Sequence, residues 1–545
     1  MNHIVIIGAG QAAAQAVVSL RQGGYNDAIT LIGDEQELPY QRPPLSKKYL
    51  SGEMEAERLF FRGQEYYDNE NVTLKLGCRV TAISTDEKTV TLDDQSELAF
   101  SKLIICTGSR PRQLPLPGAD LANIFDVRTI ADIDAMKPAF TPGKKLIIIG
   151  GGYIGLETAA VACKMGLETI VIEAADRVLA RVTDPVMSDF YQRVHAEEGV
   201  TILTGTGVAG LHGTGGAVSG VELSDERILE ADCVVVGIGI VPNIELAEAA
   251  GLDVDNGIVV NDTARTSHPD IYAAGDCTQH PNDLLGRRLR LESVQNAIEQ
   301  GKASASDILG APVAYHQIPW FWSDQYDVKL QIVGMSGDHD KVVTRGDLNS
   351  RSFAVFYFKG DQLTAVDAVN RPGEFMVAKK LVHRAAEGDV FDPEKLSDEN
   401  LSAKDLMAPI CALWMWGLAC FLEVPRVMAK GDFQRIRDHF PIFCFAALLG
   451  FAVNVASFLV IKRTSSVMVK LLGTARNAGL VLFSALAMGE EVTGQQALGY
   501  TICLLFFGCY NYYKLTETKA VPSQQSADAE AGEAGEELLR GAGKK

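Results

Sequence analysis

Two glycine-rich segments carry the residues of this sequence whose types and spacing suggest chemistry. The first is GAGQAA, residues 8–13, and the second is GGGYIG, residues 150–155. Each follows a short aliphatic run that is typical of a buried parallel strand, and each begins a helix-forming stretch. Turns of this kind direct the N–H groups of a helix N-terminus at a pyrophosphate. Two of them in one chain predict two bound dinucleotides, the minimum needed to pass a hydride from a nicotinamide to a flavin.

The small residues of the first turn have separate roles. Gly8 makes the tight turn, and Gly10 lets the backbone approach a pyrophosphate. Ala13 replaces a third glycine and still permits close packing of helix on strand. The following strand ends at Asp34, whose carboxylate can accept hydrogen bonds from ribose hydroxyls. The alternative is that the glycines only make a sharp turn.

The second turn carries the complete G-x-G-x-x-G pattern, formed by Gly150, Gly152 and Gly155. A strand predicted at 169–172 then leads to Glu173, 21 residues after Gly152. A carboxylate at the ribose would repel a 2′-phosphate, so the sequence favours NADH over NADPH. Arg177 and Arg181 follow closely and could weaken that preference.

Two further segments could contact a flavin. A short strand ending in Ala-Ala-Gly-Asp can place Asp276 against the ribityl chain or pyrophosphate, although a turn aspartate is the alternative. In PYQRPPLSKK, residues 39–48, Lys47 can approach the flavin ring or its phosphates. Equally, Arg42, Lys47 and Lys48 could form a solvated basic loop.

Composition narrows the classes of function. The net charge of −19 over 545 residues argues against nucleic-acid binding, which favours a basic face. The ten cysteines include no C-x-x-C pair, so the sequence predicts neither a metal site nor a dithiol relay. The N-terminus enters a strand at once, so we expect no cleaved signal peptide.

Several segments occur in an order that resembles the FAD-dependent ferredoxin reductases of the putidaredoxin and rhodocoxin reductase type. They are GAGQAA, PYQRPPLSK, CTGSRPRQLPLPG, IIIGGGYIGLE, GIGIVPN, YAAGDC, LESVQNAIEQGK and PWFWSDQY. The resemblance covers about residues 1–405. It implies an α/β fold with two Rossmann-like dinucleotide-binding domains and an α+β C-terminal reductase domain. The implied ranges are 1–112 and 245–315 for the FAD domain, 113–244 for the NAD domain and 316–405 for the reductase C-terminal domain.

The resemblance also implies an activity, which is NADH-dependent reduction of a [2Fe–2S] ferredoxin. The implied FAD contacts, beyond the turn itself, are Ala12, Asp34, Lys47, Val80, Arg128, Asp276 and Val294. The implied NAD contacts are Gly150 to Gly155, Glu157, Glu173 and Gly239. Lys47 and Trp320 are implied at the flavin as catalytic residues, where Lys47 would stabilise the anionic reduced flavin; Trp320 could instead be an ordinary core residue. Reduction of a small oxidant, such as a quinone or monodehydroascorbate, is the alternative activity.

From about residue 406 the sequence becomes strongly apolar. Four stretches, at 406–429, 440–461, 465–489 and 492–515, approach or exceed the ~20 residues that a helix needs to cross a bilayer. The sequence therefore predicts an all-α transmembrane region, with the reductase facing the cytosol, and a disordered tail at 516–545. Part of this region resembles the triose-phosphate/nucleotide-sugar transporter family. An anchor, a faulty gene fusion and a transport protein with a redox-sensing domain all remain open.

Overall fold

The computed structural model of this protein describes residues 2–401. The elements up to residue 111 are β1 (His3–Ile7), α1 (Gln11–Gln22), β2 (Ala28–Gly33), α2 (Gln64–Asn69), β3 (Val72–Leu76), β4 (Val80–Ser84), β5 (Thr89–Leu92), β6 (Glu97–Ala99), β7 (Lys102–Ile105) and β8 (Ser109–Pro111). A short 3₁₀ helix, Ala56–Arg58, precedes α2.

The next part of the chain adds a second set of strands and helices. They are β9 (Ile124–Phe125), α3 (Ile130–Met136), β10 (Lys145–Ile149), α4 (Tyr153–Lys164), β11 (Glu168–Ile172), α5 (Pro185–Glu197), β12 (Thr201–Leu203), β13 (Val208–Thr214), β14 (Ala217–Leu223), β15 (Ile228–Glu230), β16 (Cys233–Val236) and β17 (Ile240–Pro242). The antiparallel pair of β17 with β8 joins this part to the first one.

The chain then returns to the first part before it builds a third. The returning elements are α6 (Glu245–Ala249), β18 (Val254–Asp255), β19 (Gly257–Val259), β20 (Ile271–Ala273), β21 (Thr278–Asn282), β22 (Arg287–Leu289) and α7 (Val294–Ile308). The third part holds β23 (Trp320–Gln325), β24 (Val328–Gly334), β25 (Lys341–Arg345), β26 (Phe353–Lys359), β27 (Gln362–Val369), α8 (Pro372–Ala386) and α9 (Pro393–Ser397).

Alternating side chains explain why β1 is apolar from Ile4 to Ile7. The sheet has the parallel order β20-β7-β1-β2-β3. On one of its faces Ile4 and Ile6 pack with α1 and α7, and on the other Val5 and Ile7 pack with β5 of a small antiparallel sheet. Because both faces are covered, the four buried positions of the strand are all apolar.

The second sheet repeats this arrangement in the order β12-β11-β10-β16-β9, again with parallel pairs. Leu146 and Ile148 contribute to the core that includes α4 and α5, whereas Ile147 and Ile149 pack against the sheet β13-β14-β15. The two glycine-rich turns therefore leave equivalent central strands, which explains why their local sequences are alike.

The third sheet is antiparallel, in the order β23-β24-β27-β26-β25. On one face Phe356 and Phe358 pack with helix α8. On the other, Phe353 meets Phe190 of α5 edge to face, with ring centroids 4.9 Å apart. This sheet is therefore buried between its own helix and the second part of the molecule.

The four apolar stretches and the tail predicted after residue 405 lie outside the described residues. Among residues 2–401, no helix is both long enough and apolar enough to span a membrane.

Candidate functional site

The two glycine-rich turns have the same backbone geometry. Gly8 has φ = 104° and Gly150 has φ = 110°, a backbone conformation that residues other than glycine rarely adopt. A Cβ atom at Gly8 would lie 2.1 Å from the carbonyl oxygen of Cys106, and one at Gly150 would lie 2.4 Å from that of Gly237. In both turns the chain therefore passes directly over the end of the neighbouring strand, where only glycine fits.

The helices that follow these turns have free N-terminal amides. Gly10 caps α1 and Gly152 caps α4, and neither cap provides a side-chain hydrogen bond. A Cβ atom at either glycine would meet no atom within 4 Å. Open backbone at a helix N-terminus, with its positive end of the dipole, fits a pyrophosphate. Both turns thus fit the dinucleotides that the sequence predicts.

Close packing behind each turn depends on the third small residue. Ala13 is fully buried under the first sheet. Gly155 is tighter, since a Cβ there would lie 2.2 Å from the carbonyl oxygen of Gly150. A similar close contact occurs at Gly301 of α7, where a Cβ would lie 2.7 Å from the carbonyl oxygen of Ala12. Helices α1 and α7 therefore approach each other through small residues.

The acidic residues predicted at the two riboses occupy different positions. Glu173 lies directly after β11, where its carboxylate accepts hydrogen bonds from the N–H of Gly151 (2.7 Å) and of Ala175 (2.8 Å). The equivalent position after β2 is Gly33, so Asp34 comes one residue later. Asp34 is exposed and pairs with Arg79 at 2.9 Å.

The two arginines near the second turn differ in their hydrogen bonding and exposure. The Arg177 guanidinium donates to the carbonyl oxygens of Thr183 and Ala180 and to the hydroxyl of Ser188. Arg181 is exposed, with its guanidinium near Gly239. Of the two, Arg181 is the one placed to approach a bound nucleotide.

Asp276 lies within a polar network rather than in an isolated turn. Its carboxylate accepts a hydrogen bond from Ser109 (2.8 Å) and pairs with Arg128 at 3.3 Å. Burial lowers the pKa of the Arg128 guanidinium, although Asp276 opposes that change. The amide of the preceding Gly275 donates to Gln300 of α7 at 2.8 Å.

Three parts of the chain meet at Glu157, which is 2% exposed on α4. Its Oε2 accepts from Lys47 Nζ at 2.5 Å and from Ser46 Oγ at 2.6 Å. Its Oε1 accepts from Ser323 Oγ of β23 at 2.7 Å. The structure therefore places Glu157 with Lys47, although the sequence assigned the two residues to different cofactors.

The solvated-loop alternative for residues 42–48 is wrong for two of its three cations. Lys47 is bonded to the buried Glu157, and Arg42 pairs with Glu35 at 2.5 Å. Lys48 is exposed. Contact of Lys47 with a flavin stays a prediction.

Trp320 begins β23 and is partly buried. The Lys379 ammonium of α8 lies 3.8 Å from the centroid of its indole, and the Phe375 ring packs at 5.8 Å. Burial lowers the pKa of Lys379. Of the remaining predicted contacts, Val80 is buried at the start of β4 and Val294 is the first residue of α7. Their contact with FAD stays a prediction.

Ser323, Gln325 and His195 were not predicted as site residues from the sequence. All three are buried, and His195 Nε2 lies 2.8 Å from Gln325 Oε1. Burial lowers the pKa of His195. One signal was available, since polar residues at two-residue spacing in WFWSDQ mark one face of a strand. Their partners lie more than a hundred residues away and could not be read from the sequence.

Comparison with known protein families decides the classification of this fold. The family model described as "Pyridine nucleotide-disulphide oxidoreductase" matches residues 2–301. The chain belongs to this family. A second model, described as "Reductase C-terminal", matches residues 320–407. The predicted mixed α/β class with a C-terminal reductase domain is therefore confirmed.

Individual members of the family are similar over most of the described chain. Rhodocoxin reductase of Rhodococcus erythropolis is 42% identical over 74% of this chain and 93% of its own length. Putidaredoxin reductase CamA of Pseudomonas putida is 42% identical over 75% of this chain and 97% of its own. The crystal structure of the covalent putidaredoxin reductase–putidaredoxin complex matches with a TM-score of 0.72 and 41% identity, covering 75% of this chain and 98% of the solved one.

These matches establish the cofactor class. Reductases of this family use FAD and NAD(P)H, so the protein is an FAD-dependent oxidoreductase. When bound, FAD accepts a hydride from the nicotinamide and can release electrons singly. The five cysteines within residues 2–401 are all free thiols, although the family name refers to disulphides.

Proposed function

We propose that the protein oxidises NADH and delivers the electrons to a [2Fe–2S] ferredoxin. The balanced reaction is NADH plus two oxidised ferredoxins giving NAD⁺, a proton and two reduced ferredoxins. The observation that carries the proposal is that similarity to two named redoxin reductases spans 93–97% of their length. This similarity includes the C-terminal reductase domain, whose Ser323 donates a hydrogen bond to Glu157, the partner of Lys47.

The groups bonded to Glu157 and the state of two buried thiols argue against reduction of a disulphide substrate. Glu157 is bonded to a lysine and two serines. Reduction of a disulphide substrate would require a thiolate next to the flavin. Burial instead raises the pKa of the thiols of Cys106 and Cys277, which keeps both of them protonated.

NADH rather than NADPH is the proposed donor. Two backbone amides fix Glu173 at the second turn, which supports its proposed place next to the ribose. A 2′-phosphate placed there would be repelled. Arg181, the exposed cation nearby, is the group that could reduce this discrimination.

The Trp320–Lys379 pair is the proposed exit for electrons. A cluster of two ferric ions, two sulfides and four thiolates carries net negative charge, so it is attracted to a cation at the surface. Lys379 holds such a charge over the indole of Trp320. An aromatic ring in contact with a cation in this way offers the carrier both a stacking surface and a matching charge.

Reduction of cytochrome c tests this proposal. Purified protein is supplied with FAD and NADH, and cytochrome c reduction is followed with and without added [2Fe–2S] ferredoxin. We expect the rate to rise at least tenfold when ferredoxin is present. Equal rates with and without ferredoxin, together with rapid reduction of a quinone, would favour the small-oxidant activity instead.

We further propose that the apolar stretches at 406–515 attach the enzyme to a membrane, with the reductase facing the cytosol, where NADH is supplied. The length and apolar character of these stretches support the proposal. Fractionation of cells tests it: the full chain should remain with membranes after an alkaline carbonate wash. Recovery in the supernatant would contradict membrane attachment.

A further inference from the structure

A continuous chain of buried side chains extends from the Lys47–Glu157 pair into the C-terminal domain. Ser323 Oγ lies 2.7 Å from Glu157 Oε1, and Gln325 Nε2 lies 3.1 Å from Ser323 Oγ. His195 Nε2 lies 2.8 Å from Gln325 Oε1, and the Tyr326 hydroxyl lies 3.1 Å from His195 Nδ1. Of these residues, Glu157, Ser323, Gln325 and His195 are at most 2% exposed.

The direction of every hydrogen bond in this chain follows from Glu157. A carboxylate paired with a lysine can only accept, so the Ser323 hydroxyl must donate to it. The Ser323 oxygen must then accept from the amide nitrogen of Gln325, which turns the Gln325 oxygen towards His195. His195 therefore donates from Nε2 and accepts from the Tyr326 hydroxyl at Nδ1.

The ionisation of the outer residues agrees with this direction. Burial lowers the pKa of His195 and so favours the neutral ring, which has one donor and one acceptor. Burial also raises the pKa of Tyr326, whose hydroxyl therefore remains a donor. Hydrogen bonds aligned in one direction polarise each other, so the outer bonds strengthen the one that reaches Glu157.

Strand β23 contributes both Ser323 and Gln325, because side chains two residues apart on a strand lie on the same face. Phe321, Ser323 and Gln325 lie on the face that meets the second part of the molecule, where Phe321 packs on Tyr153 with ring centroids 5.0 Å apart. Asp324, on the opposite face, is exposed. One strand face thus connects Glu157 of α4 with His195 of α5.

Lys47 depends on this support because it lies in a segment of turns rather than in a helix or strand. Its ammonium contacts the carbonyl oxygen of Pro43 at 3.1 Å and Ser46 Oγ at 3.4 Å, both weaker contacts than the 2.5 Å ion pair. Whatever fixes the Glu157 carboxylate therefore also fixes the position of the lysine charge.

We propose that Gln325 and His195 are positioning residues for Lys47, holding its ammonium at the flavin through Ser323 and Glu157. This inference rests on the proposed function and on the predicted contact of Lys47 with the flavin. A correctly placed cation stabilises the negative charge that accompanies flavin reduction. These hydrogen-bonded side chains should therefore affect the reduction equilibrium of bound FAD without contacting the cofactor.

The test uses the full-length protein with FAD bound and measures the equilibrium constant for flavin reduction against a reference dye. Gln325→Leu, which is nearly isosteric, should lower this constant about tenfold, equivalent to about 30 mV for a two-electron couple. Tyr326→Phe keeps the ring and should shift the constant in the same direction by about two- to threefold. The control Asp324→Asn, on the same strand but exposed, should match the wild type.

A double-mutant comparison separates positioning from a structural role. In a Lys47→Ala background, Gln325→Leu should have no further effect on the equilibrium constant, because the chain acts through that lysine. An undiminished effect in this background, or wild-type behaviour of folded Gln325→Leu and Tyr326→Phe, would overturn the inference. If Lys47→Ala alone leaves the constant unchanged, the proposed place of Lys47 at the flavin fails as well.

Discussion

Lys47 Nζ lies 2.5 Å from Glu157 Oε2, and this ion pair joins the loop before α2 to the helix that follows the second glycine-rich turn. The carboxylate is buried, and 17% of the lysine side chain is exposed. The resemblance to the ferredoxin reductases implies that Lys47 contacts FAD and that Glu157 contacts NAD. We therefore predict that the two cofactors meet beside this pair.

Replacing Glu157 by Gln should leave the lysine charge without a partner. The amide can still accept from Ser323, so the packing is kept while the negative charge is removed. We expect the protein to lose roughly 1–3 kcal/mol of unfolding free energy, less than a fully buried pair would lose because Lys47 is partly solvated. Urea unfolding of the variant and of the wild type measures this loss, and an unchanged free energy of unfolding would contradict a stabilising ion pair.

The two glycines of the second turn should respond differently to alanine. Gly152→Ala has space for its Cβ and should fold normally, but the methyl group would block the pyrophosphate and weaken NADH binding about tenfold. Gly155→Ala forces a Cβ against the Gly150 carbonyl oxygen and should lower stability by roughly 1–3 kcal/mol. NADH titration and thermal unfolding of both variants compare them. Normal NADH affinity in Gly152→Ala would argue against a pyrophosphate at this turn.

Glu173→Ala should alter the choice of nicotinamide cofactor. Loss of the carboxylate removes the repulsion of a 2′-phosphate, so we expect the ratio of kcat/KM for NADH to that for NADPH to fall at least tenfold. The variant also loses two hydrogen bonds to backbone amides, so its stability should be measured in parallel. An unchanged ratio in a folded variant would show that Glu173 does not face the ribose.

Asp367 of β27 should make stability depend on pH. Burial raises its pKa to about 6, although hydrogen bonds from Tyr357 and Thr183 oppose the change. Because the folded pKa lies above the unfolded value of about 3.9, its stabilising contribution is complete below pH 4 and is lost as pH rises to 6. Relative to Asp367→Asn, the wild type should lose roughly 2–3 kcal/mol over that window. Urea unfolding of both proteins at pH 4 and pH 7 measures this, and parallel pH dependences would refute it.

Lys379→Met should affect the carrier but not the nicotinamide step. We expect the KM for ferredoxin to rise about tenfold at low salt and to become less sensitive to ionic strength, while NADH reduces the flavin at the wild-type rate. Lys395→Met removes the same charge from α9 and serves as the matched control. If both variants raise the KM equally, general charge is responsible rather than the contact with Trp320.

The sequence predicted the parts of the site that depend on short segments. Gly8, Gly10, Gly150 and Gly152 could be placed because strand, turn and helix follow one another within a dozen residues. The pairing of Lys47 with Glu157 could not, since 110 residues separate them and Glu157 was named from the resemblance alone. Likewise, the burial of Ser323 and Gln325 depends on how the third sheet packs on α4 and α5. Such contacts arise from the tertiary fold and leave little pattern in the local sequence.

The most direct test of a two-dinucleotide enzyme with a single-electron exit is an anaerobic titration of the FAD-loaded protein with NADH. One equivalent of NADH should bleach the flavin absorbance, and adding [2Fe–2S] ferredoxin should restore it while two ferredoxins are reduced per NADH. A protein that stays colourless when supplied with FAD, or flavin that NADH does not bleach, would contradict the account.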